Sequence, residues 1–217
     1  MRDSVPYSEA SVLLEELTTQ FACGIVLADA KRPVAVSYRS GSPYQAGIGP
    51  FTEEKTIELV MAEIGERFPP FQTNVCYAPG SRQRCDLCLG DEGNPQLAVE
   101  FKMLRIMGDN GKPNDAMLTH ILSPYPAHRS ALTDCRKLAE SPFECPKALI
   151  VWCYAYEKWP VEPVIECLER LAGPLLSNRV SARFDSLTHP IHRNGTVYGW
   201  LVAAPNRTLI QVDTGQG

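Results

Sequence analysis

The run Ala148-Leu149-Ile150-Val151-Trp152-Cys153-Tyr154 constrains the fold more than any other stretch of the chain. It has the length and composition of a strand, and no polar position at which one of its faces could meet water. A strand of that kind is covered on both sides, so it belongs to the interior of a sheet flanked by helices, an α/β arrangement. Two helices are written upstream of it. Thr52 is a good N-cap with Glu53 and Glu54 in the first turn, and Ile57, Val60, Met61, Ile64 and Phe68 follow at helical spacing until Pro69-Pro70 ends the pattern. Ala127 to Ser141 sets Leu132, Cys135, Leu138 and Ala139 on one face, and predicts the second helix.

Between these helices, strands are expected at Thr73 to Ala78, Arg84 to Leu89 and Leu97 to Leu104, and Gly108 to Pro126 reads as loop. At the N-terminus, Ser8 to Phe21 predicts an amphipathic helix, followed by a hairpin of Gly24 to Ala28 and Pro33 to Tyr38. At the C-terminus, a helix over Pro163 to Ala172 precedes strands Ser181 to Leu187 and Thr196 to Ala203, with Asn194-Gly195 as a hairpin turn signal. A chain of 217 residues suits one domain, with a core over about 52–156 and extensions over 1–50 and 157–217. No apolar run is read as approaching the roughly 20 residues of a membrane helix. Met1 to Tyr7 shows no apolar leader core, so a cytoplasmic location is expected.

The pair Arg84 to Leu89 and Leu97 to Leu104 carries the chemistry. With Leu89 opposite Leu97, Leu87 faces Val99 and Cys85 faces Phe101, which gathers the apolar residues on one side of the pleat. The other side then sets Cys88 against Ala98, Asp86 against Glu100, and Arg84 against Lys102. Two carboxylates directly across a ladder repel, and a fold built only for stability would avoid them. A hard divalent ion such as Mg²⁺, held by one or two carboxylates and a substrate phosphate, removes the conflict. Lys102 falls on the same face as Glu100, where its ammonium can position or deprotonate an attacking water and offset phosphate charge.

An acidic residue on one strand, a turn, and then Val99-Glu100-Phe101-Lys102 resembles the PD-(D/E)XK motif of restriction-endonuclease-like nucleases. The residue before Asp86 is Cys85 where the motif has Pro. The resemblance implies a core in the order α-β-β-β-α-β, a mixed central sheet flanked by helices, to which a helix and hairpin are added at each end. It implies a hydrolase that cuts phosphodiester bonds of nucleic acid, DNA foremost, with Mg²⁺ or Mn²⁺ as cofactor. Asp86 and Glu100 become metal ligands and Lys102 the catalytic lysine. Many relatives add a Glu on the first core helix, and Glu54 and Glu58 are the candidates. Arg84, Arg129 and Lys137 are assigned to substrate, and a homodimer is left open. The net charge of −4 argues against a broad, non-specific nucleic-acid coat. Contact with phosphate therefore needs a local rim, for which Arg82, Arg84, Arg105, Lys112 and Arg129 are expected.

Other readings compete. Cys85-Asp86-Leu87-Cys88 has zinc-knuckle spacing, but no second pair follows, and strand alternation points the two thiols to opposite faces. The eight cysteines are expected to be reduced and mostly in the core. His120, His128, His189 and His192 form no metal-ligand motif and read as surface or loop residues. A nuclease-like module that binds nucleic acid or a protein without cutting is the alternative function.

Overall fold

The computed structural model describes residues 7–203; residues 1–6, part of the opening read above for a leader, and 204–217 lie outside that description. Five α-helices, α1 (Tyr7–Ala30), α2 (Glu53–Ile64), α3 (Thr119–Leu122), α4 (Ala131–Glu140) and α5 (Glu162–Ala172), surround one sheet among the described residues. The strands are β1 (Phe71–Cys76), β2 (Arg84–Asp91), β3 (Asn94–Leu104), β4 (Lys147–Tyr154), β5 (Leu176–Phe184) and β6 (Gly195–Val202), in the order β1-β2-β3-β4-β6-β5. Only β3 and β4 run parallel, so the sheet is mixed and the fold is α/β. Every residue of β4 is buried, as its uninterrupted apolar pattern requires.

Two apolar layers fix the helices. On one face, Phe21 of α1 stacks on Phe101 at 4.8 Å and meets Trp152 at 5.5 Å between ring centroids. Leu14, Leu17 and Ile25 of α1 and Val60 and Ile64 of α2 share that layer, each fully buried. Burying one such side chain stabilises the fold by about 1.5–3 kcal/mol. On the other face, Leu132, Cys135 and Leu138 of α4 and Ile165 and Leu168 of α5 cover Leu149, Val151 and Trp200.

The N-terminal hairpin is not formed. Gly24 to Ala28 continues α1, because a Cβ at Gly24 would lie 2.7 Å from Val60 Cγ1: the glycine is there to let α1 and α2 approach, not to break a helix. Of the second expected strand only an isolated bridge between Val36 and Pro43 remains. The same continuity makes Ser8–Ala30 long and apolar enough, by length and composition, to cross a membrane, which corrects the reading that nothing in the chain approaches this. Its Ala10, Leu14, Leu17, Phe21 and Ile25 line the core described above.

The C-terminal hairpin is no appendage either, since β6 pairs with β4 inside the sheet. Asn194-Gly195 is not its turn. Gly195 already belongs to β6, where a Cβ would strike the Cys153 carbonyl oxygen, and residues 185–194 form a longer loop. That loop carries His189 and His192, both buried rather than superficial, with rings stacked at 4.8 Å. His192 Nε2 lies 2.9 Å from Asp109 Oδ1, and its Nδ1 lies 2.7 Å from the Tyr156 hydroxyl. All eight cysteines are free thiols: Cys85, Cys88, Cys135 and Cys153 are buried, Cys76, Cys145 and Cys167 half-buried, and Cys23 exposed.

Candidate functional site

The β2–β3 hairpin sets Leu89 opposite Leu97, Cys88 opposite Ala98 and Leu87 opposite Val99, the register the apolar pattern predicts. A bulge at Gly90, with φ of 111°, takes up the change of register on the turn side. The ladder stops at Leu87 and Val99, so the expected pairs of Asp86 with Glu100 and Arg84 with Lys102 are not strand partners. Backbone amides freed by that parting need acceptors. The Phe101 N–H donates to Asp86 Oδ2 at 2.8 Å, and the Met103 N–H donates to Glu53 Oε2 at 2.7 Å. Two carboxylates thus replace ladder carbonyls where β2 leaves β3.

The parting also breaks the alternation of β2. The Cys85 thiol donates to the Leu87 and Val99 carbonyls, and Cys85 joins Cys88 in the same apolar layer, which corrects the expectation of opposite faces. The hydrogen bond with the neighbouring Cys88 thiol, and then burial, hold the Cys85 thiol well above its ordinary pKa.

Around this point a charged web forms. Lys102 Nζ lies 3.0 Å from both Glu53 Oε1 and Asp134 Oδ2. Lys137 Nζ lies 2.8 Å from Glu100 Oε1 and 2.9 Å from Asp134 Oδ1. The Tyr77 hydroxyl donates to that same Glu100 oxygen in a very short contact, and its ring lies beneath Lys137 at 5.1 Å. Asp86 and Glu100 line the same cleft, and the charge of Asp86 is felt at Glu100. The side chains of Glu100 and Asp134 are only 3% and 6% exposed, so these charges are out of bulk water.

Helix starts place two of the members. The Thr52 hydroxyl caps α2 by accepting from Lys55 N, and puts Glu53 in the first turn, where the helix dipole favours an anion. Ser130 caps α4 through Thr133 N at 3.1 Å, and Asp134 and Lys137 then share a face at i, i+3. The helix begins later than its pattern predicts because Pro126–His128 forms a 3₁₀ turn and Arg129 takes a left-handed conformation, φ 46°.

Glu53, Asp134 and Tyr77 are the members that sequence reasoning missed. In the sequence Glu53 reads only as a helix-start residue. Glu54 and Glu58 line the same cleft but are exposed, and Glu58 pairs with Lys55 instead. The cleft measures about 1520 Å³ and is also lined by Arg82, Arg84, Arg129 and Arg136. Arg84 is anchored by donating to the Asn74 carbonyl at 2.7 Å. Arg105 and Lys112 are not part of this rim, contrary to expectation: Arg105 turns to the Gly49 carbonyl and to Asp109.

Burial pushes Glu100 well above the usual carboxylate range, and the charges of Asp86 and Asp134 add to it while Lys137 opposes. Asp86 is raised chiefly by burial, against the Phe101 N–H and Lys102, and Glu53 by burial against Lys102. For Lys102, burial favours the neutral amine, but Glu53 and Asp134 outweigh it and hold the ammonium protonated above its ordinary range. Lys137 is raised in the same way by Glu100 and Asp134.

Carboxylates raised in the folded state stabilise it fully only at low pH, and that contribution is lost as pH rises through the raised values. Glu100→Gln, which cannot ionise, is therefore expected to be more stable than the native chain at about pH 8 and to lose the advantage by about pH 4. Urea unfolding across that range measures it; an advantage that is the same at both ends would contradict the raised pKa. Compared with protein-family models, with curated proteins and with solved structures, the chain matches none.

Proposed function

We propose that the chain is a metal-dependent nuclease of the PD-(D/E)XK kind that hydrolyses phosphodiester bonds of nucleic acid, DNA foremost. The observation that carries this reading is a charge imbalance. Four carboxylates, Glu53, Asp86, Glu100 and Asp134, gather about two ammoniums, Lys102 and Lys137, a formal surplus of two negative charges within this web of six side chains. That surplus equals the charge of one divalent cation. The donors are hard oxygens, as Mg²⁺ or Mn²⁺ requires, with Asp86 and Glu100 as the neighbouring pair that would hold it and Glu53 the next carboxylate to hand. Such an ion, when bound, supplies Lewis-acid charge beside a phosphate oxygen and acidifies its water.

The chain's own groups have separate tasks in this reading. Lys102 uses two of its three N–H donors on Glu53 and Asp134, which leaves one for a water or a phosphate oxygen. Held protonated, it orients and stabilises charge and does not abstract a proton. The arginine rim fixes phosphates and carries no base information. The order α2-β1-β2-β3-α4-β4 is the order such a core would have, and supports the assignment.

One observation favours the second reading, a module that binds without cutting. Each of the four carboxylates already accepts from a lysine, an amide or a hydroxyl, and no three potential ligands are gathered among the described residues. Incubation with duplex DNA, single-stranded DNA and RNA, in Mg²⁺, in Mn²⁺ and in chelator, separates the two. The nuclease reading expects cleavage with metal, none in chelator and none for Asp86→Ala. Binding without cleavage under every condition would favour the module.

A further inference from the structure

The nuclease reading does not by itself explain why Lys137 sits where it does. Its ammonium is held on three sides, by Glu100 Oε1 at 2.8 Å, Asp134 Oδ1 at 2.9 Å and the Tyr77 ring at 5.1 Å. One of those partners is a carboxylate assigned to the metal. A dication on the Asp86–Glu100 pair and an ammonium on the same Glu100 repel at such range, the more so because the Glu100 side chain is only 3% exposed. Lys102 touches neither member of that pair; its partners are Glu53 and Asp134.

We infer that Lys137 is the resident counter-ion of the metal-free site, and that a divalent cation entering at Asp86 and Glu100 displaces its ammonium from Glu100 while Asp134 keeps it tethered. Metal uptake and delivery of a positive charge to the cleft are then a single exchange. The tether is already formed: Asp134 lies one turn before Lys137 on α4 and is fixed from its other oxygen by Lys102, so it need not move. Lys137 has the freedom to turn, with a side chain 23% exposed and lining the cleft. In its released position it faces the space where a substrate phosphate would lie, beside Arg129 and Arg136. The device also sets a threshold, since metal must outcompete a cation already in place. This inference rests on the nuclease reading for the identity of the metal ligands.

Calorimetric titration of Mg²⁺ into the full chain tests it. Lys137→Met, whose apolar side chain can lie over Tyr77, is expected to bind Mg²⁺ about tenfold more tightly than the native chain, a coupling of ordinary size. Arg84→Met removes a charge from the same cleft without touching the pair, and is expected to change affinity less than about twofold. Should Lys137→Met not fold, the native chain still answers. The Lys137 ammonium signal in ¹⁵N-lysine spectra, assigned through Lys137→Arg, is expected to shift as Mg²⁺ is added. Equal affinity in native chain and Lys137→Met, equal gains in both variants, or a Lys137 signal indifferent to Mg²⁺ would overturn the exchange while leaving a metal site intact. A native chain that takes up no Mg²⁺ would overturn the exchange and the nuclease reading together.

Discussion

Asp86→Ala and Glu100→Ala are each expected to lower metal-dependent cleavage of DNA by about a thousandfold or more, since each removes a charge that must be in place before the phosphate reacts. Both variants should fold: they relieve repulsion between raised carboxyls, and the Phe101 amide that Asp86→Ala leaves without its acceptor costs about 1–3 kcal/mol. Lys102→Ala is expected to lose about 10²–10³-fold in turnover, the range for removing one charge-stabilising donor, while still binding metal. Single-turnover cleavage beside metal titration tells the two kinds of variant apart. A Lys102→Ala protein that cuts at the native rate would remove the lysine from the proposed chemistry and leave it as a buried ion-pair partner.

Asp134→Ala should have the largest effect on stability. Asp134 is the only described carboxylate that touches both lysines, and its side chain is 6% exposed. Removing it leaves two nearby ammoniums sharing the remaining carboxylates, and breaking a buried pair of this kind costs about 3–5 kcal/mol. Asp134→Asn keeps two polar contacts and is expected to cost less. Urea unfolding measures both. A loss below about 1 kcal/mol for Asp134→Ala, the level of an exposed pair, would mean that the web is solvated and does not hold α4 to β3.

How much of this was legible in the sequence depends on which interaction decides each element. The apolar pattern specifies β4 and the register of Leu87, Cys88 and Leu89 against Val99, Ala98 and Leu97, because a slip by one residue would turn every side chain to the wrong face. It says nothing of where a ladder ends. The parting before Leu87 and after Val99 leaves the Phe101 and Met103 amides to Asp86 and Glu53, contacts between residues as much as 50 positions apart. Hence Asp86 and Glu100 line one cleft but are not the strand partners that the pattern predicts. Glu53 was hidden for a related reason: an acidic residue in a first helical turn is explained by the dipole alone, and its neighbour Glu54 fits that explanation equally well. Asp134 and Lys137 are i, i+3 on α4, a spacing that reads as an ordinary surface pair until the helix is packed against β3. Gly24 misled in the other direction. A glycine inside an apolar pattern reads as a breaker, whereas its purpose is contact with Val60, which only the tertiary structure reveals.

The central claim is that Asp86 and Glu100 together hold one divalent cation, and titration of Mg²⁺ or Mn²⁺ into the native chain, Asp86→Ala and Glu100→Ala at neutral pH tests it most directly. The account predicts saturable binding of one ion per native chain, with affinity lost or reduced more than about tenfold in each variant, the scale expected when a carboxylate ligand is removed. Metal affinity unchanged in both carboxylate variants would contradict it.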